Sequence, residues 1–342
     1  MSVSLKDIAR ATGISICSVS QILNNRPSAQ LLREETRQRV RETAKRLGYN
    51  RNELAATIAK GKSRILAFVM SDMGAVDYTG RIVNGVLAEA AERNYAVIVY
   101  RLGQMTEEEI IGHVLGWRAA GVLLHIDRRS RAPKLIERLK QEKLPYGLVD
   151  LSNPDGIGVT TDNFDGIAQA VGAMVENGRK RLAYVSSFTP FKRDDSNDFH
   201  YQRIDGFWRA LDAHSLRSTG MALQLDSPDV GKRKANIVEN LRTLQRANVD
   251  GLVCESDYVA MEFMAAMLEA GMDLPKDCAV IGYGDVFMAQ LAFPPLASIA
   301  QDYEQIGGLT TRLVIEAIEN KQAQDPTNII LPVRLIPRQS LG

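Results

Sequence analysis

Residues 4–25 read Ser4-Leu5-Lys6-Asp7-Ile8-Ala9-Arg10-Ala11-Thr12-Gly13-Ile14-Ser15-Ile16-Cys17-Ser18-Val19-Ser20-Gln21-Ile22-Leu23-Asn24-Asn25. Leu5, Ile8 and Ala9 fall at helical spacing, and Val19, Ile22 and Leu23 repeat it. This predicts helices over 4–12 and 15–24. Ser4 and Ser15 suit the helix starts, and Gly13 supplies the tight turn between them. A third, highly charged helix is expected from about Leu31 to Leu47, stopped by Gly48. Helix, glycine turn, helix, loop and helix within fifty residues make a helix-turn-helix unit.

Charge supports a separate role for this segment. Residues 1–62 hold 12 Lys/Arg against 5 Asp/Glu, a net of +7, whereas the remainder holds 30 against 36, a net of −6. A basic head on a mildly acidic body is the footprint of nucleic-acid binding, although charge alone equally fits a solvated helix surface. With 342 residues the chain suggests two or three domains, and 45% apolar with 24% charged residues is an ordinary globular composition. Apolar runs such as Ile65 to Met70 are too short to span a membrane, and no secretory signal is visible. Cys17, Cys254 and Cys278 lie far apart, which argues against a disulfide framework or zinc cluster and fits a cytoplasmic protein.

Residues 50–63 read as a linker of short helical propensity. Beyond it, strands are predicted at 65–70, 96–100, 122–126, 146–149, 182–186, 223–225, 251–254 and 279–283. Helices such as 82–93, 167–177 and 259–270 alternate with them. That alternation indicates parallel sheets with helices on both faces. The expected architecture is an all-α head over 1–49, a hinge over 50–63, and an α/β core over 64–342. Two doubly wound parallel-sheet lobes in that core would enclose a ligand cleft.

Several chemistries are not supported. Gly61-Lys62-Ser63 lacks the upstream glycine of a phosphate loop, since position 56 is Ala56. The acidic run Asp194 to Asp198 lacks the glycine and terminal glutamate of a calcium loop. The four histidines (113, 125, 200, 214) show no metal-ligand spacing, and no nucleophile elbow is present. The expectation is a non-enzyme with no cofactor and no metal.

The head sequence resembles that of the LacI/GalR repressor family, as do Glu34-Glu35-Thr36-Arg37-Gln38-Arg39-Val40 and Leu47-Gly48-Tyr49-Asn50. The likeness continues through Val159-Thr160-Thr161-Asp162-Asn163, Arg203-Ile204-Asp205-Gly206-Phe207, Val280-Ile281-Gly282-Tyr283-Gly284-Asp285 and Pro295 to Gln301. It therefore runs through nearly the whole chain. It implies a DNA-binding head, a hinge helix, a core like periplasmic sugar-binding proteins, and a homodimer on a palindromic operator.

In a helix-turn-helix the start of the second helix enters the major groove. That places Ser15, Ile16, Cys17 and Ser18 at the bases, followed by Ser20, Gln21 and Asn24. Ile16 and Cys17 match the family's main specificity pair and suit a thymine methyl, while the Gln21 amide suits adenine. Ser4, Ser18, Asn24, Asn25 and Arg26 are candidates for phosphate contacts. In the hinge, Ala55 would allow close packing of paired helices, and Ile58 would be the wedge between base steps.

For the effector, the resemblance points to Arg203, Asp257 and Asp285. A guanidinium and carboxylates suit hydroxyls and acids. The family often has two aspartates after the aromatic residue, where this chain reads Gly284-Asp285, a departure that counts against a neutral sugar. Tyr78, Arg101, His125, Phe188 and Arg193 follow strand ends and are expected in the cleft, with Asp77 and Asp165 as further polar candidates. The functional expectation is a repressor controlled by a carbohydrate or sugar-acid effector. A two-lobed solute-binding protein without a regulatory role is the alternative.

Overall fold

The computed structural model describes residues 3–24, 26–49, 63–71, 77–187, 199–225, 230–320 and 326–342. The chain divides into two units, Met1–Lys62 and Ser63–Gly342.

In the first unit, α1 (Leu5–Thr12), α2 (Ile16–Leu23) and α3 (Glu34–Leu47) enclose a small core of Ile8, Val19, Ile22, Ala29, Val40 and Ala44. The Ser4 N–H and hydroxyl both donate to the Asp7 carboxylate, at 2.9 and 2.7 Å. The Ser15 hydroxyl oxygen accepts the Ser18 N–H at 3.1 Å, closing the start of α2. Gly13 (φ 68°) and Gly48 (φ 69°) stop α1 and α3 in the left-handed region, where a Cβ is strained. The third helix starts later than expected. Pro27–Leu31 forms a 3-10 turn, and Leu32 and Arg33 are extended before Glu34.

The second unit holds two six-stranded sheets. In chain order the strands of the first are β1 (Ile65–Met70), β2 (Ala96–Arg101), β3 (Gly121–His125), β4 (Tyr146–Val149), β5 (Ile157–Thr161) and β11 (Thr327–Leu331). Their spatial order is β11-β5-β4-β3-β1-β2, all parallel. The second sheet comprises β6 (Leu182–Ser186), β7 (Met221–Gln224), β8 (Gly251–Cys254), β9 (Ala279–Gly284), β10 (Ala297–Ala300) and β12 (Arg334–Ile336). It repeats the same order, β12-β10-β9-β8-β6-β7. Here β12 runs antiparallel to β10, and the other pairings of this sheet are parallel as expected.

Helices α4 (Asp77–Glu92), α5 (Glu107–Gly116), α6 (Pro133–Gln141) and α11 (Tyr303–Asn320) accompany the first sheet. Helices α7 (Asn163–Glu176), α8 (Phe199–Ala213), α9 (Val230–Arg246) and α10 (Asp257–Glu269) accompany the second. The chain passes between the lobes three times, after β5, after β10 and after β11. Strands of buried apolar residues such as Leu66 to Met70 and Leu182 to Val185 need helices on both faces, and each lobe supplies them. Each lobe thus has a topological switch point at the carboxyl ends of its first and third strands, where ligands of such folds sit.

Candidate DNA-reading surface and effector cavity

On the head, Val19 and Ile22 face inward, while Ile16 is 45% exposed and Cys17 is also exposed. Ser15 is exposed, and Ser18, Ser20, Gln21 and Asn24 are half-buried on the rest of α2. The Gln21 Nε2 lies 3.6 Å from the Cys17 sulfur, one helical turn back. The Asn24 Nδ2 donates to the Ser20 carbonyl at 2.7 Å and lies 3.2 Å from its hydroxyl. Asn24 thus closes the end of α2 as well as lying on the expected contact surface. Arg26 is exposed. The Asn25, Ala55, Ile58, Phe188 and Arg193 expectations lie outside the described residues.

In the core, the carboxyl ends of the two sheets enclose a cavity of about 550 Å³. The first lobe contributes Ser71, Tyr78, His125 to Arg128, Arg131 and Asp150. The second contributes Ser187, Phe199, His200, Arg203, Arg233, Glu255 to Val259 except Asp257, Tyr283 and Val286, and Tyr303 closes it from the start of α11. Of the eight candidates, Tyr78, His125 and Arg203 are brought together here. The rings of Tyr78 and His125 are 6.3 Å apart, and those of Tyr78 and Tyr303 are 5.3 Å apart.

Arg203 is only 5% exposed. Its Nε donates to Asn163 Oδ1 at 2.8 Å, Nη1 to the Glu255 carbonyl at 2.7 Å, and Nη2 to Gln301 Oε1 at 3.2 Å. The guanidinium carbon lies 3.6 Å from the Tyr283 ring centroid, a stacked arrangement that a lysine does not reproduce. Asn163 and Gln301 belong to two of the three passages between lobes, and Gln301 Nε2 donates to Thr161 Oγ1 at 2.8 Å. One cavity-lining side chain therefore ties two crossover segments together.

Three expectations for the cleft are corrected. Asp257 heads α10 but turns inward. Its Oδ2 accepts the Val286 N–H at 2.8 Å and its Oδ1 accepts the Ser298 hydroxyl at 2.5 Å. Burial raises its pKa to about 6 against the lowering effect of those donors. Asp285, at φ 48°, pairs with Arg338 at 2.6 Å. Arg101 ends the edge strand β2, where it is exposed and outside the cavity lining. Asp165 is also exposed, accepting from Gln169 Nε2 at 2.6 Å. Asp77 lies between the lobes: its Oδ2 accepts the Phe287 N–H at 2.8 Å, and its own N–H donates to the Tyr258 hydroxyl at 3.1 Å.

Sequence reasoning missed Asp150 and Glu255. Asp150 follows β4 at φ 60°, and burial raises its pKa to about 7 although Arg203 opposes the shift. Glu255 follows β8 and is 2% exposed. Burial alone would raise its pKa, but His200 and the Ser187 and Ser186 hydroxyls outweigh that and bring it down to about 2. Oε1 accepts the Ser187 N–H at 2.7 Å and also the Ser187 hydroxyl, while Oε2 accepts the Ser186 hydroxyl at 2.8 Å and lies 3.1 Å from His200 Nδ1. The available signal was positional: each residue directly follows an apolar strand, where such folds hold their ligands.

Comparison with known proteins agrees with both halves of this arrangement. The pattern of bacterial regulatory proteins of the lacI family matches residues 4–52, and that of the periplasmic binding protein-like domain matches residues 171–341. The chain belongs to the lacI family of regulators. The HTH-type transcriptional regulator RegA of Clostridium saccharobutylicum is 27% identical, covering 99% of both chains. The catabolite control protein A of Priestia megaterium is 25% identical with the same coverage. Among solved structures, the lac repressor dimer bound to operator and the anti-inducer ONPF has a TM-score of 0.83 at 20% identity, covering 100% of this chain and 99% of that one. That likeness establishes the fold. The transcriptional regulator CelR–cellobiose complex has a TM-score of 0.68 at 25% identity, covering 99% of each. This lacI-family chain is a DNA-binding transcriptional regulator, and its relatives are regulators, not enzymes. Among the described residues no helix is long and apolar enough to cross a membrane.

Proposed function

We propose that this regulator is a homodimeric repressor whose affinity for a palindromic operator is set by a small carbohydrate or sugar acid in the core cavity. The observation that carries the reading is Arg203, which lines the cavity and bonds to Asn163 and Gln301 on two crossover segments. A ligand that touches Arg203 acts on the groups that fix one lobe against the other. Such a ligand shifts the conformational equilibrium only by its differential affinity for the two lobe arrangements. The cellobiose held by the CelR neighbour favours a carbohydrate class. In the head, Ser15, Ile16, Cys17, Ser18 and Gln21 would read base edges. Ser4, Asn24, Asn25 and Arg26 would seat the head on phosphates, and Ala55 and Ile58 would act in the minor groove.

Selection of bound sequences from a random duplex pool, followed by affinity over a salt series, tests this reading. A palindromic consensus whose binding weakens steeply with salt is the expected result. Release from that operator by a pooled set of sugars and sugar acids would complete it. Failure to enrich any sequence, with and without the pool, would sink it in favour of a solute-binding role.

A further inference from the structure

Deep in the cavity sits a cation with no carboxylate hydrogen-bonded to it. Arg203 is buried, yet its three hydrogen bonds all go to neutral oxygens: two side-chain amides and one backbone carbonyl. A buried cation without a bonded counter-ion is costly and draws in an anion. The carboxylates around it do not serve. Glu255 accepts from Ser186 and Ser187 and lies against His200. Asp150 makes no hydrogen bond to Arg203, and burial lets it keep its proton up to about pH 7. Asp257 and Asp285, the carboxylates expected to accept sugar hydroxyls, are committed to Ser298 and Arg338.

The rim carries further arginines. Arg233 is neutralised by Glu262, with contacts of 2.6 to 3.0 Å. Arg128 lies 3.8 Å from Asp127, and Arg131 is an exposed cation on the same wall. Glu255 is the ionised carboxylate of the lining, but its oxygens are taken up by Ser186, Ser187 and His200, so neither Arg131 nor Arg203 has a carboxylate bonded to it among the described residues.

We propose that the effector is anionic, and that its carboxylate or phosphate seats on the Arg203 guanidinium while its hydroxyl-bearing body fills the rest of the cavity. The inference rests on the effector-controlled reading above. A guanidinium held rigid by three bonds and stacked on Tyr283 offers its remaining N–H groups in a fixed geometry, which favours a planar carboxylate or a phosphate face.

The test is calorimetry and thermal unfolding of the full chain, at constant ionic strength. The panel is D-glucose and D-galactose, their uronates, their 6-phosphates, malonate and inorganic phosphate. Acids should bind at least tenfold tighter than their neutral parents, and uronates against phosphates identify which anion is used. Malonate or inorganic phosphate should compete with the tightest acid on the unaltered chain, and Arg203→Gln should abolish the acid preference. Because that substitution removes a buried side chain, the competition stands as an independent measurement. Neutral sugars that bind and release operator while the acids stay silent would overturn the anionic inference and leave the effector reading intact. A panel in which nothing shifts unfolding or operator affinity would count against both.

Discussion

The Asp77 carboxylate, at the start of a first-lobe helix, accepts the backbone N–H of Phe287 in the second lobe at 2.8 Å. The Asp77 N–H returns a bond to Tyr258 of that second lobe at 3.1 Å. Arg81, one turn further along α4, lies over the Tyr303 ring at 5.2 Å and reaches the Gln301 carbonyl at 3.4 Å. The two Asp77 bonds join the lobes beside the cavity-lining Tyr258 and oppose their opening. A hydrogen bond to a charged group is worth about 1.5–3 kcal/mol. Asp77→Ala should therefore raise the open population on the order of tenfold or more. Amide hydrogen exchange of the peptide containing Phe287 reads this directly: faster exchange is expected in the variant, and unchanged protection would show that Asp77 holds nothing.

Glu255 makes a second prediction, on stability against pH. Its folded pKa of about 2 lies below the ordinary 4.5, so its contribution is present above about pH 4.5 and is lost as pH falls towards 2. Glu255→Gln leaves His200 and the two serines facing a neutral amide and should cost about 3 kcal/mol near neutrality. The difference in urea midpoint between the two proteins should narrow as pH drops from about 5 to about 3. A gap that stays constant over that range would mean the carboxylate charge is not what matters.

Asp150 carries the opposite sign. Its folded pKa of about 7 lies above the ordinary 3.8, so the stability it contributes is present below about pH 3.8 and has been lost once pH rises through 7. Asp150→Asn cannot ionise and escapes that loss. The variant should match the parent in unfolding temperature near pH 4 and exceed it near pH 8, by about 2–4 °C for each 1 kcal/mol recovered. Parallel melting curves at both pH values would remove Asp150 as an ionising group of the cavity.

How far these features could be read in advance differs by element. The head helices α1 and α2 are local objects, set by apolar spacing and by Gly13, and they form within one residue of the expected limits. Strands with short apolar runs, such as Tyr146–Val149 and Gly251–Cys254, were equally legible. Strand β5 was not, because Gly158 interrupts it. That glycine is there for contact with distant groups: an added Cβ would meet Asn153 N and Asn328 Oδ1 at 2.5 Å. Strand β11 alternates exposed and covered residues at a sheet edge, so it lacks the continuous apolar run of the central strands.

At the site, Arg203 was visible through its motif, but the direction of Asp257 was not. Its carboxylate fills space that only Gly282 leaves open, since a Cβ there would come within 2.1 Å of Oδ1. Asp285 depends on Arg338, a partner 53 residues away. Pairings at that range leave no local pattern in the chain.

The head offers a last test that separates reading from folding. Ile16 and Ile22 share one helix and one chemistry, yet Ile16 is 45% exposed and Ile22 is fully buried. Ile22→Ala removes a core side chain, costs about 2–5 kcal/mol in a small domain, and should abolish DNA binding by unfolding the head. Ile16→Ala should change head stability by less than about 0.5 kcal/mol, as surface changes do. On the selected operator it should instead lose on the order of 1–3 kcal/mol of discrimination at one base pair, the scale of a lost specific base contact. Helix content by circular dichroism and competition against single-base operator variants separate the two effects. If Ile16→Ala keeps full discrimination while the head stays folded, the apolar contact at that position is wrong, and base reading passes to Cys17 and Gln21.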